Sequence, residues 1–151
     1  MDQLKFYDTE HKNFFNEHTK GEKLDSYNKS LIYLLGLTEE TRKHFDKLYN
    51  ERTRQIEFSG TTEGWQTGTS LATTKLAFNL FNGYCGLEDR EATQYTIENI
   101  FCYKEYAPYF YEGIRLRFNI QDHKSKEQQQ IEDFIKAEES KLQNWIKSDK
   151  M

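Results

Sequence analysis

The residues best placed to do chemistry lie in the tract GTTEGWQTGTS, residues 60–70, where Gly60, Gly64 and Gly68 alternate with threonines just before an apolar helical pattern. Glycines let backbone amides converge on an anion, and a helix N-terminus adds a positive dipole end. A ligand set follows from this: Thr69 and Ser70 at the helix start, Trp65 to stack on a base or sugar, and Arg115 or Arg117 to take an anionic group. A nucleotide-like small molecule would fit such a set. The lysine of a GxxxxGK[ST] phosphate loop is missing and no apolar strand precedes the tract, which argues against nucleotide hydrolysis. The alternative is structural, with Thr69 or Ser70 capping the helix and Trp65 pinning the loop to the core.

His11, His18, His44 and His123 are the other candidates. Imidazole suits zinc or iron when a carboxylate such as Asp8, Glu10 or Asp46 is near, but HExxH spacing is lacking. His11 and His18 share a helical face with Phe14 and Phe15, so partly buried, hydrogen-bonded histidines are expected there, with His44 and His123 at the surface. No metal or cofactor is expected. Cys85 and Cys102 lack CxxC spacing and a secretory context, and are expected to be free, buried thiols. Paired carboxylates, Glu39/Glu40 and Glu138/Glu139, fall on helix surfaces, and no GxSxG elbow offers a nucleophile. The expected protein is not an enzyme.

These residues need a scaffold, and the chain supplies helices for it. Asp8 caps a helix running to about Thr19, and Asp25 or Ser26 opens another with a Tyr27, Leu31, Leu34, Leu35 stripe and Gly36 as a left-handed C-cap. Thr38 caps a third, with Glu39 and Glu40 at its positive end and Phe45, Leu48 and Tyr49 facing inward. Only RQIEF, residues 54–58, alternates like a short strand. The next helix, Leu71–Tyr84, carries Leu76, Ala77, Leu80, Phe81 and Tyr84 over so wide an arc that it is expected to be central, ending at Gly83 or Gly86. Thr96 opens a short segment with Ile97, Ile100 and Phe101. Pro108 then suits the first turn of a helix to about Phe118, packed across the central one through Tyr106, Phe110, Gly113 and Ile114.

Past Gln121 the composition shifts to Lys, Glu and Gln, while Ile131, Phe134, Ile135, Leu142, Trp145 and Ile146 recur at i, i+3, i+4, i+11, i+14 and i+15. A long amphipathic helix is expected, covered by its own domain or by another chain, with Phe134, Leu142, Trp145 and Ile146 as the partner-binding seam. The fold class is therefore mainly α: a helical core domain of residues 1–120 with an aromatic core, then the helix of 121–151, five or six helices in all.

The 151 residues carry a net charge of −4 and mean hydropathy of −0.96, with eleven Phe and ten Tyr compensating for few aliphatics. No basic cluster offers a phosphate-backbone footprint, so direct nucleic-acid binding is not expected. Leu31–Leu37 is too short to span a bilayer and the opening MDQLKFYD has no leader pattern, so the cytoplasm is the expected compartment.

The blocks WQTGTSLATTKLAFNLFNGY and YAPYFYEGIRLRF, with DTEHKNFF and SYNKSLIYLLGLTEETRKHFDKLYN before them, make residues 4–119 resemble an uncharacterised family of Gram-positive bacteria and their phages. The resemblance implies mobile genetic elements as a context and carries no catalytic residues. Together with the small size, the acidic balance and the lack of catalytic motifs, this context gives the leading expectation: a non-enzymatic phage or prophage accessory protein that binds a host protein in the host cytoplasm, inhibiting a defence nuclease or redirecting host machinery. A nucleotide-like ligand binder and a homodimeric scaffold are the alternatives.

Overall fold

The computed structural model describes residues 3–121 and 124–150, and the chain divides into two units, Met1–Ile120 and Gln121–Met151. The first unit runs α1 (Thr9–Thr19), α2 (Ser26–Leu35), α3 (Glu39–Lys43), α4 (Phe45–Leu48), a two-stranded ladder of β1 (Tyr49–Asn50) and β2 (Gln55–Ile56), α5 (Gly68–Asn82), α6 (Asp89–Ala92), α7 (Ile97–Phe101) and α8 (Ala107–Phe118). The second contains α9 (Lys126–Asp149). The fold is mainly α, with five helices of ten or more residues among the described residues.

Local chemistry sets the helix starts. Asp8, Asp25, Thr38 and Thr96 each accept a backbone N–H from the first turn that follows, satisfying one of the amides that a helix start leaves open. Pro108 lies in the first turn of α8, where its missing N–H costs nothing. Gly83 closes α5 at φ +78°, donating to the Asn79 carbonyl.

The expected Leu71–Tyr84 helix, α5, is central, packing on α2, α3, α7 and α8, and α2 shares that place with it. α2 packs on α5, α8 and α1, and Leu31, Ile32, Tyr33, Leu34 and Leu35 are each at most 1% exposed. The C-terminal part of α2 is enclosed and shows no polar face, so its short LIYLL run is buried throughout, whereas Lys29 in the first turns is exposed. Tyr27, expected in its inward stripe, is exposed, as is Ile97.

Close helix crossings depend on two glycines. Gly36 is right-handed, φ −78°, so it is not the left-handed cap expected from sequence. A Cβ there would meet the Phe14 ring at 2.6 Å, and one on Gly113 would meet Leu34 at 2.7 Å, so the two glycines let α1 and α8 approach α2. Ser30 uses the second crossing to donate to the Gly113 carbonyl at 2.8 Å.

The buried polar side-chain atoms are all paired among the described residues. Tyr7 N–H donates to His11 Nδ1 at 3.2 Å, and His11 Nε2 contacts the Tyr33 carbonyl at 2.7 Å. An amide can only donate and a carbonyl can only accept, so the ring is neutral with its proton on Nε2. Desolvation lowers its pKa from 6.5 to about 4, helped by the charge of Arg42. Glu112, missed in the sequence, is also buried, held by Arg115 Nη1 at 3.1 Å and Lys5 N–H at 3.3 Å. A lone buried carboxylate would be costly, and the pairing removes most of that cost.

Both cysteines are free but exposed, contrary to expectation: Cys85 follows the end of α5 and Cys102 caps α7, outside the packed layers.

Candidate functional site

The expected ligand set around the Gly/Thr tract does not assemble. Thr67, not Thr69 or Ser70, caps α5, and Ser70 is fully buried in a reciprocal capping box, accepting from Thr67 N–H at 2.8 Å and donating to Gln66 Oε1 at 2.6 Å. The Thr69 carbonyl accepts from the Thr73 hydroxyl at 2.9 Å, within the helix. Trp65 does pin the loop, as expected: its ring stacks on His44 at 4.2 Å and 5°, and its N–H donates to Glu63 at 2.8 Å. That stack leaves His44 half-buried. His123 lies outside the described residues.

The two arginines serve other partners. Arg115 pairs with Glu112. Arg117 donates to the Leu80 carbonyl at 2.7 Å with its guanidinium 3.4 Å from the centre of the Tyr27 ring and 4.7 Å from that of Phe118. Leu80 is ten residues from Ser70, about 15 Å along α5. Arg117 thus braces α8 against the far end of the helix whose start was expected to hold the ligand.

A larger cleft, of about 480 Å³, opens where the end of α1 and the segment after it meet the β1–β2 turn. Its walls are Glu17, His18, Lys20 and Glu22 on one side and Glu51, Arg52 and Arg54 on the other, over a floor of Leu24, Ile32 and Tyr49. The turn is built by Asn50. Its side chain accepts from the amides of Arg52 and Thr53 at 3.1 Å each, while its carbonyl accepts from Arg54 N–H at 2.7 Å. Arg54 itself is left-handed, φ +56°. This winding presents Glu51, Arg52 and Arg54 together.

Two polar bridges join the walls with opposite polarity. His18 Nδ1 lies 2.6 Å from Glu51 Oε1, and Arg54 Nη2 donates to Glu22 Oε2 at 2.9 Å. The His18 ring lies against Phe14 and Phe45, at 4.3 and 4.6 Å between centroids, which fixes its plane. With Nδ1 on the carboxylate, Nε2 remains for a ligand. In the floor, the Tyr49 hydroxyl donates to Asn28 at 2.6 Å, and burial raises its pKa to about 12, so it remains a neutral donor. Sequence reading flagged His18 and missed its partners, because residues 17–22 and 51–54 meet only through the fold. The asparagine before a polar four-residue run was the available signal for the turn.

A smaller polar locus surrounds Lys75, which donates to Gln94 at 2.5 Å and lies 5.7 Å from the centre of the Tyr95 ring. Burial holds its pKa below the usual lysine range. It lines two recesses of about 230 and 120 Å³. Among the described residues no group of three or more His, Cys, Asp or Glu could hold a metal ion.

α9, taken by itself, opens with a capping box in which Ser125 and Gln128 exchange side-chain to backbone hydrogen bonds. Ile131, Phe134 and Ile135 form one apolar triad and Leu142, Trp145 and Ile146 a second, each member eleven residues beyond its counterpart. Eleven residues is close to three helical turns, so both triads share one face. Glu138 lies between them, paired with Lys141 at 2.9 Å. No helix among the described residues is long and apolar enough to cross a membrane.

The chain belongs to the family of unknown function DUF6075, whose model matches residues 1–130. The match therefore ends inside α9, before the first apolar residue of its stripe. No curated protein and no solved structure matches the chain.

Proposed function

We propose that this chain is a non-enzymatic accessory protein that works by binding another protein through α9. The observation that carries the reading is the two-triad apolar face of α9, which begins at Ile131, where the family match has ended. A family-wide body thus carries a distinct recognition element. Phe134 and Trp145 are the anchors, since large aromatics dominate the energetics of such contacts. The resemblance to proteins of Gram-positive bacteria and their phages supports a host protein as the partner, met in the host cytoplasm. The net charge of −4 further favours a partner with a basic surface, such as a defence nuclease.

The test is affinity capture with the full chain from lysates of several Gram-positive hosts, with partners quantified by mass spectrometry. One stoichiometric partner is expected, lost in the double variant Phe134→Glu/Trp145→Glu. A partner that the double variant retains, or none in any host, would end this reading.

The eleven-residue repetition favours a second reading, a homodimeric scaffold joined along the same face. Light scattering under reducing conditions separates the two readings: the dimer requires twice the 18.1 kDa chain mass, falling to one chain in the double variant.

A further inference from the structure

We propose that the recess beside Lys75, between α5 and the segment of residues 94–103, binds a small monocarboxylate, a function independent of α9 and its partner. The inference rests on a cation that the fold half-buries without an opposite charge. Lys75 donates to Gln94 Oε1 at 2.5 Å, lies 5.7 Å from the centre of the Tyr95 ring, and makes no ion pair with another described residue. An ammonium taken partly out of water is costly without a counter-charge, and an amide oxygen replaces only part of what is lost. The recess of about 230 Å³ has Lys75 as the one charged residue among its described lining residues. Glu91 lines the separate recess of about 120 Å³, and its carboxylate accepts from Leu87 N–H at 3.2 Å. The larger recess is therefore where an anion meets one positive charge and no lining carboxylate.

Hydrogen-bond donors border the same space. Gly68, Leu71, Ala72 and Lys75 follow at i, i+3, i+4 and i+7, so one strip of a single helix, α5, forms a wall. The Tyr103 hydroxyl comes down on that wall at Gly68, where a Cβ would meet it at 2.5 Å, and it makes no hydrogen bond with another described residue. Gln94 accepts from Lys75 through Oε1, which leaves its Nε2 as a donor that bonds no other described residue. The Lys75 ammonium spends one N–H on Gln94 and keeps the others for a ligand. A carboxylate accepts on both oxygens, and its bonds from an ammonium are of the stronger, charge-assisted kind. Leu71 and Ala72 offer the rest of the ligand an apolar surface. A volume of about 230 Å³ lies under the roughly 300–1,000 Å³ of sites for drug-sized molecules, so an acid of a few carbons or a single ring fits. A lone cation disfavours dicarboxylates and phosphate dianions.

The experiment is a titration of the isotope-labelled full chain with acetate, butyrate and benzoate, followed through backbone amide NMR shifts. Sodium chloride at matched ionic strength and benzamide, the uncharged counterpart of benzoate, are the controls. Saturable shifts at Leu71, Lys75, Gln94 and Tyr103 are expected with at least one of the acids. Lys75→Met, which keeps the apolar stem, should weaken that binding by about tenfold or more. Tyr103→Phe should weaken it by about threefold. The second variant removes one hydroxyl that bonds no other described residue, so it tests the site even if Lys75→Met unfolds the chain. No saturation with any of the acids, shifts reproduced by sodium chloride, benzamide bound as tightly as benzoate, or undiminished affinity in either variant would each overturn the assignment. Since none of these readouts involves α9, they stand or fall apart from the protein-binding reading.

Discussion

The body and α9 use the same amino-acid types to opposite ends. In the body, Phe78 and Phe110 are fully enclosed, a histidine and a glutamate are buried with partners, and a bare glycine lets α8 press on α2. In α9, Phe134 and Trp145 are 66% and 63% exposed, Glu138 and Lys141 form an exposed ion pair, and no residue is buried. An aromatic side chain thus indicates folding in one region and recognition in the other. What separates the two is the surrounding pattern, close-packed LIYLL and AFNLF runs against isolated triads in a Lys/Glu/Gln background.

The widest expected contrast is a matched pair of truncations. Phe78→Ala should cost the body about 3–5 kcal/mol in denaturant unfolding, the loss typical of an enclosed aromatic. Phe134→Ala should shift the same transition by less than about 0.5 kcal/mol. Equal losses would erase the distinction between the two regions.

Acid should separate them next. His11 titrates near pH 4 in the folded chain against 6.5 for the free group, so between those values the unfolded chain binds more protons. The contribution of His11 is complete above pH 6.5 and falls by about 3 kcal/mol as pH approaches 4. Urea midpoints at pH 7.5 and 5 should therefore differ, and His11→Gln should remove that step although it lowers stability throughout. α9 contains no histidine, so its helical signal should stay flat from pH 7 to 5.5.

The smallest contrast uses one motif twice. Both α5 and α9 start with a capping box, Thr67 with Ser70 and Ser125 with Gln128. Thr67→Ala should remove about 1 kcal/mol from cooperative unfolding of the body. Ser125→Ala should instead show as faster amide exchange in the first turns of α9. Global destabilisation by Ser125→Ala would mean that the helix folds as part of the body.

Much of the fold was legible where a residue acts on its own neighbours. Asp8, Thr38, Thr96, Pro108 and Gly83 mark boundaries through bonds spanning a few residues, and the structure follows them. Reading failed where the meaning of a residue depends on remote packing. LIYLL looks like one stripe until α1, α5 and α8 enclose it, and Gly36 looks like a turn residue until the Phe14 ring is set against it. Arg115 and Arg117 looked like free cations because Glu112, Tyr27 and the Leu80 carbonyl could not be placed beside them. The cleft was illegible for the same reason: its two walls are some thirty residues apart in the chain.

The two surface thiols, Cys85 and Cys102, bear on how the protein must be handled. Air oxidation on storage can join chains through them irrespective of any helix seam, producing covalent dimers that gel filtration cannot distinguish from a native pair. A Cys85→Ser/Cys102→Ser version would suppress that artefact. Returning one cysteine at a time would then give a single attachment point for a dye, at a residue that belongs neither to α9 nor to the lining of the charged cleft.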